Sequence, residues 1–207
     1  MQPIKNAERV IFNLNYPSLL REISVRKDSY LSRHHAGVAL YSGLICIEIA
    51  PELYKIVISA ASLHDIGKVR IPNNILFKST HLTPEEWVIM KRHPISGSKL
   101  VKKTHFESDE NLEEISRAIR HHHERWNGTG YPDKLAGKSI PLASRIIAVA
   151  DTFDTMTTTR PYRKALSDTI ALEEIERYLG TQFDPQIVQI FLKIIGRNNF
   201  DSHILSK

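Results

Sequence analysis

Apolar residues along this chain recur mostly at steps of three and four, the spacing that lines one face of an α-helix. From Tyr30 to about Ala50, the positions His34, Val38, Tyr41, Ile45 and Ile49 keep that period and predict one long helix. Pro51 ends it and opens the next, because proline is tolerated in a first helical turn but not further in. Leu53, Ile56, Val57, Ala60, Ala61 and His64 then share a face, with Gly67 closing the helix. Residues 68–82, carrying Pro72, Asn73 and Asn74, read as a loop. Thr83-Pro84-Glu85-Glu86 is a strong helix start: a threonine cap, proline at the first position and glutamate three residues on. Pro94 breaks or kinks that helix just after His93, and a helix from about Asn111 ends in His121-His122-His123. Residues 126–140 form a loop of the length that, inside a compact domain, is functional or disordered. Further helices are expected from Pro141 to about Thr157, near 168–179 before Gly180, and over 184–196 between the Asp184 cap and Gly196. No stretch alternates as a half-buried strand would. The expectation is all-α: a single helical-bundle domain over 28–200, preceded at 1–27 by an arm or short helix.

Composition narrows the class. A chain of 207 residues with 42% hydrophobic and 25% charged side chains is an ordinary globular domain, not a disordered, collagen-like or disulfide-built one. At this length folding buries roughly 70% of the extended-chain surface, so no covalent staple is needed. Cys46 is the single cysteine and sits in the apolar run Leu44-Ile45-Cys46-Ile47, which suits a small core hydrophobe in a reducing compartment. No run reaches the ~18 apolar residues of a membrane span, and Met1-Gln2-Pro3-Ile4-Lys5-Asn6 has no signal-peptide character. The expectation is a cytoplasmic protein without membrane contact. The formal charge of +5 attracts phosphates, but lysines and arginines are scattered, in clusters no longer than Lys102-Lys103. A nucleic-acid polymer is therefore not an expected partner. The ten histidines are more informative, since half of them fall in two short clusters, His34-His35 and His121-His122-His123.

Several of these histidines and two aspartates sit at helix ends or on apolar helix faces. Asp151 follows Ile146-Ile147-Ala148-Val149-Ala150, where an unpaired buried carboxylate would cost several kcal/mol. It has to face a cation, a metal or a cluster of donors. His64-Asp65 closes an apolar helix, Lys68 follows four residues after His64, and His122-His123 repeats the adjacent-pair device. His93 precedes Pro94, and His34 continues the face of Val38, Tyr41 and Ile45, although adjacent His35 competes for the inward position. His81, His105, His121 and His203 read as surface residues. Imidazoles and carboxylates without thiolates suit iron, manganese, zinc or magnesium–manganese sites, and five or six such ligands exceed the needs of one tetrahedral zinc. Two cations about 3.5–4 Å apart would use them all and are suited to phosphoester hydrolysis.

The motifs His64-Asp65-Ile66-Gly67-Lys68 and His122-His123-Glu124-Arg125-Trp126-Asn127-Gly128-Thr129-Gly130-Tyr131-Pro132 closely resemble those of the HD-GYP family, a branch of the HD metal-dependent phosphohydrolases. The resemblance continues through Ile71-Pro72, Leu82-Thr83-Pro84-Glu85-Glu86, Ile140-Pro141, Arg145–Asp151, Arg160-Pro161-Tyr162-Arg163 and Phe183-Asp184-Pro185. It covers roughly residues 28–195. It implies an HD-type helical bundle that hydrolyses cyclic di-GMP to the linear dinucleotide and, in some members, on to GMP. By motif position the metal ligands would be His34, His64, Asp65, His93, His122, His123 and Asp151, holding iron or manganese. Lys68, with Asp65, would be the catalytic group and would contact the substrate phosphate. Arg160, Arg163 and Tyr131 would bind substrate, the arginines through forked hydrogen bonds to phosphate and guanine edges.

Three positions depart from the family's pattern. Tyr30 stands where three-metal members carry a glutamate, which favours two ions over three. Asn127 replaces a usual aspartate in the loop, and Gly37 replaces a common arginine. The family usually joins this domain to a receiver or sensory domain, for which residues 1–27 leave no room. Regulation is then expected from a separate signalling protein meeting the 126–135 loop, from a homodimer, or not at all. Two other readings stay open: hydrolysis of a different cyclic dinucleotide or nucleotide, and binding of a cyclic dinucleotide or partner without hydrolysis.

Overall fold

A computed structural model describes residues 29–103, 111–159 and 164–204. The expected arm at 1–27, Arg160, Arg163 and His105 lie outside the described residues, as does the side chain of His203. The described chain is α-helical, with no strand beyond an isolated bridge between Leu179 and Phe183. Its helices are α1 (Ser29–Ile49), α2 (Tyr54–Leu63), α3 (Asn73–Leu76), α4 (Pro84–Met90), α5 (His93–Lys103), α6 (Leu112–His121), α7 (Leu142–Thr157), α8 (Asp168–Arg177) and α9 (Pro185–Ile204). No helix among them is long and apolar enough to cross a membrane.

α7 is the axis of the bundle. It packs against α1, α2, α6, α8 and α9, and its residues Ile146, Ile147, Val149, Ala150 and Phe153 are all buried. A helix apolar on most of its circumference is stable only when surrounded. Phe153, Phe191 and Tyr41 lock α7, α9 and α1 through edge-to-face ring contacts 5.0–6.0 Å apart. Polar ties are few and short. The Ser144 hydroxyl donates to the Ala118 carbonyl at 3.0 Å, joining α7 to α6, and Ser98 meets Ser116 at 2.8 Å between α5 and α6.

Helix boundaries follow local chemistry where caps exist. At α4 both arms of the capping box form: the Glu86 amide donates to Thr83 Oγ1 (3.3 Å) and the Thr83 amide to Glu86 Oε2 (2.8 Å). Pro94 separates α4 from α5 by occupying the second position of the new helix. Three expectations need correction. The 68–82 segment is not all loop: Asn73–Leu76 forms one helical turn with Ile75 buried, too short to show a period. α2 stops at Leu63, and Gly67 lies inside a following 3-10 turn, Ile66–Arg70. α9 does not stop at Gly196 but continues to Ile204, because nothing crowds that glycine and no capping signal follows it.

Gly67 decides how the 3-10 turn meets α5. A Cβ there would lie 1.9 Å from the His93 carbonyl oxygen and 2.5 Å from the Gly97 nitrogen. Only a hydrogen at that position lets the backbone after Asp65 press against the first turn of α5, and so brings Asp65 to His93.

Candidate metal centre

Five elements deliver side chains to one polar interior. α1 brings His34 and His35; the C-cap of α2 is His64, with Asp65 directly after; α5 begins with His93; His122-His123 follow directly on α6; α7 brings Asp151 from its middle. Adjacent residues on a helix diverge by 100°, but at a helix terminus the backbone leaves the helical path and both can face one site. Asp65 shows this, with φ −96° and ψ 4°, just past the cap of α2.

Three of the imidazoles are oriented by one device. His64, His93 and His122 each point Nδ1 at the carbonyl three residues earlier: Ala61 (2.7 Å), Met90 (2.9 Å) and Ile119 (2.7 Å). A carbonyl can only accept, so each Nδ1 carries the hydrogen, and a neutral ring turns its Nε2 lone pair inward. Burial holds His64 and His122 in that neutral form, driving the His122 pKa well below the ordinary value; His123 falls to about 3, through burial and then the neighbouring His93.

The result is an arrangement suited to a cation. His93 Nε2 and His122 Nε2 face each other at 3.4 Å, two acceptors without a hydrogen between them when both rings are neutral. Bonds of about 2.1 Å at a near-tetrahedral angle to one ion give about this separation. Asp65, His93, His122 and His123 each present a ligand atom within 4.8 Å of the others; His34, His64 and Asp151 form a second such group, and His35, His64 and Asp65 a third. Asp65 lies between the first two. Its Oδ1 is 3.2 Å from His93 Nε2, and its Oδ2 is 3.5 Å from His64 Nε2 and 2.5 Å from Lys68 Nζ. Burial opposes the Asp65 charge, but Lys68 and the surrounding imidazoles hold its carboxyl well below the usual range. His64 Nε2 is buried with no hydrogen-bond partner, 4.0 Å from Asp151 Oδ1. A divalent cation fits this donor set of buried nitrogens and ionised oxygens, and the carbonyl bonds behind the rings are the outer support such sites use.

Every candidate ligand expected from the sequence therefore lies in this interior, Lys68 at its edge. Tyr131 stands at the mouth, its ring 4.9 Å from that of His123, with Lys91 Nζ 5.5 Å above it. A cavity of about 280 Å³ opens there, lined among others by His122, His123, Asp151, Tyr131, Lys91 and Arg125. The 126–140 loop is pinned: the Trp126 and Asn127 amides donate to Gln182 and Thr181 carbonyls, and Glu124 Oε1 accepts from the Asp133 amide. Asn127 Oδ1 accepts from the Thr129 amide and hydroxyl, so asparagine supplies the acceptor this turn uses.

Two expectations change. His121 is buried rather than a surface residue, because its Nε2 meets Asp133 Oδ2 at 2.9 Å beside the forked Arg120–Asp133 pair. His34 and His35 do not compete for the interior; both are buried in it. The sequence reading also missed Asp154, whose Oδ2 accepts from His34 Nδ1 at 2.7 Å while Asp151 Oδ1 lies 3.3 Å from His34 Nε2. Burial alone would lower the His34 pKa, but these two carboxylates raise it to about 9 in the ion-free site. Gly37 makes this possible, since a Cβ there would fall 1.9 Å from Asp154 Oδ1. The available signal was position: Asp154 follows Asp151 by three residues on α7, on the same face.

Residues 32–187 match the family model described as HD domain. The chain is 39% identical over 178 residues to a cyclic di-GMP phosphodiesterase of Thermotoga maritima, covering 85% of this chain and 48% of that one. It is 38% identical over 136 residues to the 3'3'-cGAMP-specific phosphodiesterase 2 of Vibrio cholerae, covering 65% and 25%. The chain thus spans about half or less of the length of these curated relatives. In fold it resembles an HDG"Y"P protein from Bdellovibrio bacteriovorus, with TM-score 0.64, 22% identity and coverage of 92% and 61%. With residues 32–187 enclosing all of the clustered histidines and aspartates, the chain belongs to the HD domain family.

Proposed function

We propose that this chain is a metal-dependent phosphodiesterase that hydrolyses cyclic di-GMP to the linear dinucleotide, with residues 28–200 as its phosphohydrolase domain. The observation that carries the reading is the facing pair of His93 and His122 nitrogens beside ionised Asp65. Asp65, His93, His122 and His123 would hold one cation, and His34, His64 and Asp151 a second, with Asp65 between them. Iron or manganese suits this set, which has nitrogen and oxygen donors and no thiolate. Bound there, a pair of divalent ions would supply Lewis acidity to the phosphoryl oxygens and lower the pKa of a bound water.

The chain's own groups account for the rest. Lys68 pairs with Asp65, is partly exposed, and can place its ammonium against a non-bridging phosphate oxygen. Lys91 and Arg125 add positive charge at the cavity mouth, where a phosphodiester is the matching ligand. Tyr131 offers a ring face to a base. A cavity of about 280 Å³ takes the reacting end of a dinucleotide and leaves the remainder outside; by motif position Arg160 and Arg163 would bind substrate. The 126–135 loop keeps Asn127, Thr129, Asp133 and Lys134 exposed, as a surface for a regulatory protein or a second copy. Buried Cys46 suits the cytoplasm.

The test is product chromatography after anaerobic loading with Mn²⁺ or Fe²⁺. Linear dinucleotide is expected, and a fully loaded protein that leaves cyclic di-GMP intact refutes the reading. His64→Ala should lose both metal and turnover; Lys68→Ala should keep metal and lose turnover. The likeness to a 3'3'-cGAMP-specific enzyme favours one second reading, in which the mixed dinucleotide is the preferred substrate; competition between the two nucleotides separates them.

A further inference from the structure

α1 turns two adjacent histidines into the interior, and the two-cation assignment uses only His34. His35 is 7% exposed, and its Nε2 has no hydrogen-bond partner. Across from it stands the ring of His64, edge to face at 5.2 Å, whose Nε2 is equally without a partner. His64 has already given Nδ1 to the Ala61 carbonyl, so Nε2 is its remaining ligating atom. One ligand atom each from His35, His64 and Asp65 lies within 4.8 Å of the others, and all three residues are buried.

Leaving a buried polar atom unpaired is destabilising, and an aliphatic side chain at position 35 would avoid that cost. His34 is differently placed. Both of its nitrogens face carboxylates, Asp154 at 2.7 Å and Asp151 at 3.3 Å, while the His35 Nε2 is uncommitted. The His64 nitrogen has one lone pair, so whatever ion it binds must take its other ligands from the groups around it. His35 and Asp65 are there with it.

We propose that His35 is a further ligand of the cation held by His64 and Asp65, an assignment that rests on the two-cation reading above. The ion at His64 is then anchored from α1 by His35 as well as by the His34–Asp151 side. The competing explanation is a structural histidine whose nitrogen meets only a trapped water.

The experiment titrates chelator-stripped protein with Mn²⁺ by calorimetry, in wild type, His35→Leu and His35→Gln. Both variants are expected to bind the second equivalent at least tenfold more weakly, with the tighter site at His93 and His122 unchanged. The metal-free melting temperature of His35→Leu is expected to be equal or higher, because the unpaired nitrogen is gone. A second equivalent bound within twofold of wild type in both variants overturns the proposal. Wild type that takes up no cation overturns the two-cation reading, and this proposal with it. Independently of any variant's folding, histidine-ring ¹⁵N spectra of wild type loaded with Zn²⁺ should show His35 Nε2 moving from a free acceptor to a coordinated nitrogen. An unmoved His35 resonance alongside a shifted His64 resonance also overturns it.

Discussion

Gly67→Ala tests how the site is assembled without replacing any of its ligands. The added methyl would lie 1.9 Å from the His93 carbonyl oxygen, 2.5 Å from the Gly97 nitrogen and 2.8 Å from the His93 carbonyl carbon. All three are backbone atoms, so no side chain can swing away. Ordinary contact begins near 3.4 Å, and the first turn of α5 therefore has to retreat from the 3-10 turn by about 1.5 Å. Overpacking of this kind costs about 1–3 kcal/mol. For a domain of this size that corresponds to a fall in Tm of about 6–12 °C at the upper end of the range. The same retreat carries His93 from its 3.2 Å approach to Asp65, well beyond the ~0.5 Å within which a preorganised site tolerates displacement. Calorimetry of the metal-free protein and metal analysis of the loaded protein read the two effects separately. Stability and metal content both at wild-type level would refute the claim that this glycine sets the distance between Asp65 and His93.

Other consequences follow from single contacts. Asp154→Asn keeps the shape under His34 but removes the charge, and should weaken the second Mn²⁺ equivalent roughly tenfold by titration. Gly37→Ala should do the same by displacing that carboxylate. Arg145→Ala strands buried Asp184, its ion-pair partner between α7 and the start of α9, and should cost about 3–5 kcal/mol in urea unfolding. In metal-free protein His34 has its pKa raised from 6.5 to about 9, so its contribution is complete below pH 6.5 and disappears as pH rises through about 9. Urea midpoints should therefore fall between pH 6.5 and 9.5 in wild type and much less in His34→Gln; parallel profiles would contradict the assignment.

Much of the fold was legible because helix ends carry their own local chemistry. The capping box at Thr83, Pro94 in the first turn of α5, Pro141 before α7 and Pro185 at the start of α9 act on backbone groups a few residues away. The apolar run before Asp151 likewise announces a buried helix with a carboxylate that needs a counter-charge. What failed locally was what local signals cannot encode. One turn at Asn73–Leu76 has no period to detect, and α9 passes Gly196 because that glycine is not in the left-handed conformation by which a glycine ends a helix.

By itself, the order of residues determined which chemistry is present: imidazoles and carboxylates at helix ends, without thiolates, next to a lysine and a glycine-bearing loop. Only the tertiary structure decided which of them meet. His34 finds Asp154 across 120 residues, His121 is buried because Asp133 reaches it from the loop, and His35 enters the interior alongside His34. Periodicity assigns a face to a helix, whereas a ligand set depends on how five elements cross. That crossing is fixed by core packing around α7 and by the absence of a single methyl group at Gly67.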